Sequence, residues 1–300
     1  MPRPAALNAM TMNTDQGAPE AGAANVARDG GRTWQLLALA AAAFLVLGLI
    51  GGRAATAANL PRLLAVTLSA GAGLGFVGVS VAMVGLVVRL PLSWQAQLGL
   101  TAASGLASAG AKVAGVTLVG DLFLFIAATF FGALVSRLIK ERNLVVPVAV
   151  VAGAVDTYGV YWGFVAMVAE RAPKIVQQLS AAVPGAAVPG MLVPLLSAIG
   201  IGDFLFMGLF VGAVHRLGMN MRATLWALFA ILVIVPVVFA IIGVPAPVLP
   251  GLVFVGIAVL AANWRHFHFS RAEKFALLYA TAAVAAVIAL AWVVMRMLVG

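Results

Sequence analysis

Nine runs of apolar sequence, punctuated by short polar stretches, dominate this chain and fix the solvent it can fold in. They fall at about residues 33–52, 61–89, 93–111, 114–138, 144–169, 191–214, 222–242, 246–263 and 274–298. Each is close to or above the ~20 residues that carry a helix across a hydrocarbon layer about 30 Å thick. With 64% hydrophobic and 9% charged residues, a water-soluble globule is excluded. The pattern predicts an all-α fold, a polytopic transmembrane helix bundle of about nine spans occupying residues 33–300. Residues 1–32 are small and polar and read as a disordered tail. The run at 33–52 follows a long leader and is near full spanning length, so it reads as an uncleaved first helix rather than a signal peptide. The weakest boundary is Gly110-Ala111-Lys112, either a turn or the kinked middle of a longer element.

The net charge of +9 does not point to nucleic acid, because the cations are scattered singly between apolar runs rather than gathered with aromatic residues. That distribution suits loops that meet anionic lipid headgroups. Alternating the nine spans places twelve of the 18 Lys and Arg on the side of the tail. The N-terminus is therefore expected in the cytoplasm and the loop from Glu170 to Gly190 outside. The Ala, Gly and Val richness points to a bacterial cytoplasmic membrane. Cysteine is absent, which removes disulfides and thiolate metal sites.

Of nine acidic residues, only Asp121, Asp156 and Asp203 lie within apolar runs. An Asp at the centre of a membrane helix costs roughly 2.5–3.5 kcal/mol, so each is a candidate for function. Asp203 stands in Gly200-Ile201-Gly202-Asp203-Phe204, where two glycines remove side-chain bulk and let a backbone or substrate approach the carboxylate. Counted from the starts of their runs near Leu144 and Met191, Asp156 and Asp203 fall at one depth near the midplane. Asp121 lies nearer the end of its run, within reach of Lys112, and reads as a near-interface acid. Two carboxyls at one depth on consecutive antiparallel helices can share a proton, as in aspartic proteases, and work as general acid and base on a water molecule. The blander alternative is a structural Asp, or a carboxyl–carboxylate hydrogen bond that joins two helices. Tyr158 is a candidate hydrogen-bond partner for the pair, whereas Tyr161 and Trp162 read as interfacial anchors.

With Pro245-Ala246-Pro247-Val248-Leu249-Pro250-Gly251 downstream, the chain resembles the intramembrane aspartyl proteases of the presenilin and signal-peptide-peptidase family. The Gly200-Ile201-Gly202-Asp203 element carries the resemblance, and Pro247-Val248-Leu249 is similar to the family's Pro-Ala-Leu motif. The similarity covers about residues 144–263. It implies a presenilin-like fold, catalysis by Asp156 and Asp203, an active-site motif that includes Gly200 and Gly202, and substrate contact by Pro247, Val248 and Leu249. It further implies a transmembrane-helix peptide as substrate, unwound locally and paired as a strand near the aspartates, with neither metal nor cofactor; accessory subunits are left open. Prolines 245, 247 and 250 would leave carbonyls without helical donors. Three departures stand out: Val155 replaces the family's Tyr before the first Asp, Val248 replaces Ala, and a further span follows the proline motif. The stretch Pro173–Leu179 has amphipathic spacing suited to lying along the interface, and Pro184, Pro189 and Pro194 suggest irregular chain ahead of Asp203.

Other chemistries find less support. His215, His266 and His268 sit beside arginines at the ends of runs and read as interfacial residues. Neither an HExxH nor a GxSxG motif is present. Prepilin peptidases share a Gly-x-Gly-Asp element but carry Lys where Leu205 stands here. An internal echo, Val119-Gly120-Asp121-Leu122-Phe123-Leu124-Phe125 against Ile201-Gly202-Asp203-Phe204-Leu205-Phe206, supports the rival reading of a proton- or cation-coupled transporter.

Overall fold

Apolar side chains at every position of a run leave the backbone to satisfy itself, and each run accordingly contains a helix. The computed structural model describes residues 18–56, 61–161, 180–182, 198–242 and 250–299. Within them are α1 (Ala18–Thr56), α2 (Arg62–Val87), α3 (Trp94–Val113), α4 (Thr117–Val135), α5 (Val145–Tyr161), α6 (Ile201–Arg216), α7 (Met221–Ile242), α8 (Gly251–Asn263) and α9 (Arg271–Val299). Strands β1 (Ser180–Ala182) and β2 (Ala198–Gly200) pair antiparallel, with Ser180 opposite Gly200. Four stretches, Gly30–Gly51, Ala70–Val87, Thr117–Leu138 and Arg142–Val160, are long and apolar enough to cross a membrane, and Met221–Val235 and Gly251–His266 are shorter apolar helices.

Two boundaries differ from the sequence reading. Helix α1 begins at Ala18, so residues 18–32 are not a disordered tail. Alanines at positions 18, 21, 23, 24 and 27 are the strongest helix formers and extend the apolar helix backwards. Between α3 and α4 the chain turns, but later than Gly110-Ala111-Lys112. Helix α3 continues to Val113, and Gly115 at φ +78° makes the turn. Gly218, at φ +63°, ends α6 in the same left-handed way.

Helix α3 is inside-out by the standards of a water-soluble protein. Its polar residues Gln97, Ser104 and Ser108 are buried, while Leu106 and Val113 are 76% and 90% exposed. That polar stripe faces α4: Ser108 donates to the Gly120 carbonyl at 2.7 Å, and Lys112 Nζ lies 2.9 Å from Asp121 Oδ1. Both charged side chains are mostly buried, at 12% and 8% exposed. Asp121 is therefore held by the Lys112 ion pair, with little contribution from water.

The centre of the bundle is built on α4 and α6, which run parallel. Phe125 packs edge-on against Phe204 at 4.7 Å, and the contacts advance together along both helices to Gly212 beside Ser136. Glycine is required at this seam. A β-carbon on Gly132 would collide with the Leu205 carbonyl and lie 2.7 Å from Leu209 N, and one on Gly208 would lie 2.5 Å from the Thr129 carbonyl oxygen. Small residues let the two backbones approach, the usual device where helices associate in lipid. Phe44 of α1 and Phe76 of α2, 4.2 Å apart, continue the aromatic column from Phe125 outwards.

Polar side chains close one end of the bundle. Arg137 donates to the Leu92 carbonyl and to Gln97, Arg216 to the Ser136 and Ile139 carbonyls, and Arg142 to the Leu217 carbonyl. Asn143 spans to His268, and Asn263 to Asn220. These contacts gather the turns that carry Arg89, Arg137, Arg142 and Arg216 at one end, as alternation of the spans predicts. The Lys112–Asp121 pair offers a direct test. Lys112→Ala leaves a buried carboxylate short of its cation and should cost about 3–5 kcal/mol, read as a lowered unfolding midpoint in detergent. Lys112→Met combined with Asp121→Leu should recover most of that loss.

Candidate active site

Two helices begin where a spanning helix would be only part-way across, and both candidate carboxylates sit at those beginnings. Asp203 is the third residue of α6, immediately after the ribbon strand that ends at Gly200. The apolar run from Met191 implied that Asp203 lies twelve residues into a helix. That is corrected here: residues 198–200 are extended, and 191–197 lie outside the described residues. Depth is better measured from the arginine-rich end. At 1.5 Å per residue, Asp203 is about 20 Å from Arg216, and Asp156, twelfth in α5, is about 17 Å from Val145. Both values place the acids a little past the middle of a ~30 Å layer. Asp121 lies about one turn further from that end.

Each carboxylate serves a helix start. The backbone N–H of Gly200 donates to Asp203 Oδ2 at 3.2 Å, a favourable arrangement because the first-turn amides lack helical partners and the helix dipole attracts negative charge. Asp156 performs the same service for a different helix, with Leu252 N–H donating to its Oδ2 at 2.9 Å. Leu252 is the second residue of α8, whose N-cap is Pro250. Asp203 also reaches this point. A β-carbon on Gly251 would strike Asp203 Oδ1 and lie 3.0 Å from its Cγ. The start of α8 thus draws both acids to one place, Asp156 at the Leu252 amide and Asp203 against Gly251.

Packing fixes this convergence from both sides. Phe204, fully buried in the aromatic column, anchors the first turn of α6. Helices α5 and α8 run antiparallel and close together, because Gly153 lies against Val253 and Gly256 against Ala149. Thr157 turns its hydroxyl back to the Gly153 carbonyl at 2.7 Å and leaves Asp156 to α8.

A groove of about 680 Å³ opens beside Asp156, walled by Val148, Val151 and Tyr158 of α5 with Phe206 of α6 and Leu252 of α8. Val155, 61% exposed, stands at its mouth, so the groove faces the side of the bundle rather than its ends. The lining is apolar except at Asp156 and Tyr158.

The remaining sequence candidates divide. Tyr158 lines the groove, but among the described residues its hydroxyl makes no hydrogen bond to either acid, because two residues along a helix turn it about 200° away from Asp156. Gly200 has a neighbouring backbone, that of Ser180 in the ribbon, and a β-carbon on it would make ordinary contact with Asp203. A β-carbon on Gly202 would meet nothing within 4 Å among the described residues. Pro247, Val248 and Leu249, with Pro245, lie outside the described residues, as do Pro173–Leu179, Pro184, Pro189 and Pro194. Pro250 is described, and its contribution is the start of α8 and the amide of Leu252. Freed carbonyls had been expected from that element. Gly251 and Leu252 were missed as site residues, although a Pro-Gly pair opening an apolar run marks a helix start and so a source of free amides. Among the described residues no three His, Asp or Glu side chains converge as a metal site would need.

Neither a family model, nor a curated protein, nor a solved structure matches this chain. The site therefore rests on its own geometry, which a cysteine-free chain lets one test cleanly. A β-carbon on Gly153 would lie 3.5 Å from Val253 Cα, so the two backbones are close enough for a disulfide, whose Cα atoms stand about 4.4–6.8 Å apart. Gly153→Cys with Val253→Cys should cross-link on mild oxidation, detected as a joined peptide by mass spectrometry.

Proposed function

We propose that this chain is a polytopic intramembrane aspartic endopeptidase in which Asp156 and Asp203 form the catalytic dyad. The observation that carries the reading is the meeting of the two acids at the start of α8, beside a lateral apolar groove. The resemblance of Gly200–Asp203 and of the proline element to the presenilin and signal-peptide-peptidase family supports it. In hydrolysis, one carboxylate takes a proton from water as the oxygen attacks the peptide carbonyl, and the other, protonated, donates to the carbonyl oxygen. The tetrahedral intermediate then collapses as a proton passes to the leaving nitrogen. No covalent enzyme intermediate is formed.

The substrate class follows from the surroundings of the dyad. A lateral apolar groove suits a peptide that arrives within the bilayer as a transmembrane helix. Its scissile carbonyl must leave its helical hydrogen bond before attack. The β1–β2 ribbon, ending three residues before Asp203, offers backbone on which an unwound strand can pair. Among the described residues nothing would meet a β-carbon on Gly202 within 4 Å, which leaves room there for that strand.

Three substitutions test the reading in protein reconstituted with a transmembrane-helix peptide. Asp156→Ala and Asp203→Ala should each lower the cleavage rate at least about a thousandfold with helical content unchanged. Retained cleavage in either would remove the dyad from the mechanism. Gly251→Ala, which places a methyl group against the Asp203 carboxyl, should lower cleavage at least tenfold. If the two Asp variants instead abolish ion-coupled uptake into vesicles and the parent cuts no peptide, the transporter reading takes its place.

A further inference from the structure

The arginine-rich end of the bundle carries charge that its acids do not answer. Arg89 lies in the turn after α2, exposed; its backbone N–H donates to the Leu86 carbonyl at 3.1 Å, and among the described residues its guanidinium makes no hydrogen bond or ion pair. Arg137 reaches into that same turn, to the Leu92 carbonyl at 3.0 Å. Arg216 in turn reaches the Arg137 turn, through the Ser136 and Ile139 carbonyls at 2.9 and 2.6 Å. The Arg216 guanidinium is thereby tied, through backbone oxygens, to the turn that carries Arg137, and the Arg137 guanidinium to the turn that carries Arg89. Carbonyls orient a guanidinium but leave its net charge in place.

The acids at this end whose side chains are described are Glu141, exposed and without an ion pair among the described residues, and Glu273. Glu273 accepts from Ser270 N at 2.7 Å and from Asn143, and among the described residues the one ion pair is Lys112–Asp121. Partial burial, then the Arg137 charge, lowers the pKa of Arg216. Burial, then the Arg89 charge, does the same to His215.

Depth identifies the missing counter-charge. Trp34, Trp94, Trp226 and Trp264 are all exposed at this end, the distribution of an aromatic belt at headgroup level. We propose that the turns bearing Arg89, Arg137 and Arg216 form a binding site for the phosphodiester headgroup of an anionic phospholipid. Arg89 supplies the free guanidinium donors, and the other two hold positive charge behind the phosphate. Because Arg216 ends α6, a phosphate here also steadies the helix whose first turn carries Asp203. The site stands independently of the proposed proteolysis.

Native mass spectrometry of the full chain in detergent, titrated with phosphatidylglycerol or phosphatidylcholine, tests this. Phosphatidylglycerol should be retained at least tenfold more strongly than phosphatidylcholine. Arg89→Gln should weaken its retention at least fivefold, whereas Arg271→Gln, on the same face but at the start of α9, should change it less than twofold. Millimolar inorganic phosphate should not displace the lipid. Equal retention of both lipids, or an equal loss in Arg271→Gln, would overturn the site in favour of diffuse attraction. Displacement by inorganic phosphate would make the free ion the ligand and overturn the lipid assignment.

Discussion

A backbone N–H without an acceptor is costly in an apolar medium, several kcal/mol where water cannot reach it, and a helix that begins inside such a medium exposes a full turn of them. Helices α6 and α8, with 16 and 13 residues, span only about 24 and 20 Å, so their first turns fall within the apolar layer. Asp203 answers the first and Asp156 the second. The same two hydrogen bonds that make these short helices tolerable bring the carboxyls to one place. The carboxyl atoms that satisfy these helix starts are the same ones that the proposed chemistry would use.

That arrangement depends on closely fitted neighbours. Gly132 and Gly208 let α4 carry α6 at backbone contact, and the Phe44–Phe76–Phe125–Phe204 column sets the rotation of its first turn. On the other side, Gly153 and Gly256 seat α8 against α5. The outer helix α3 turns its polar residues inward and its leucines outward. Its partner α4 meets it with a carboxylate already matched to Lys112. The Gly-Asp echo between α4 and α6 therefore has unlike outcomes. One acid is closed in an ion pair, and the other accepts from a backbone amide at the start of its helix.

Hydropathy made the helices legible, because runs near spanning length leave few alternatives to a helix, and alternation of the arginines correctly gathered one end. Asp156 and Asp203 were legible as a pair from their type and depth alone. The start of α6 was not. Between Met191 and Asp203 only Ser197 is polar, and although Pro194 pointed to irregular chain there, an apolar run does not itself distinguish strand from helix. The depth drawn from that boundary was therefore counted from the wrong start. Leu252 and Gly251 escaped notice because their contribution is a backbone amide and an absent side chain, neither of which a residue type announces. Tyr158 lines the groove together with Asp156, but among the described residues it hydrogen-bonds neither acid.

The sideways mouth of the groove at Val155 changes what affinity means for this protein. A molecule entering there must displace lipid tails rather than water, so occupancy follows its mole fraction among the lipids and not its molarity in the buffer. Diluting the bilayer with extra lipid at constant protein should then empty the groove as effectively as removing ligand, and two preparations of equal concentration but unequal lipid content are not equivalent samples.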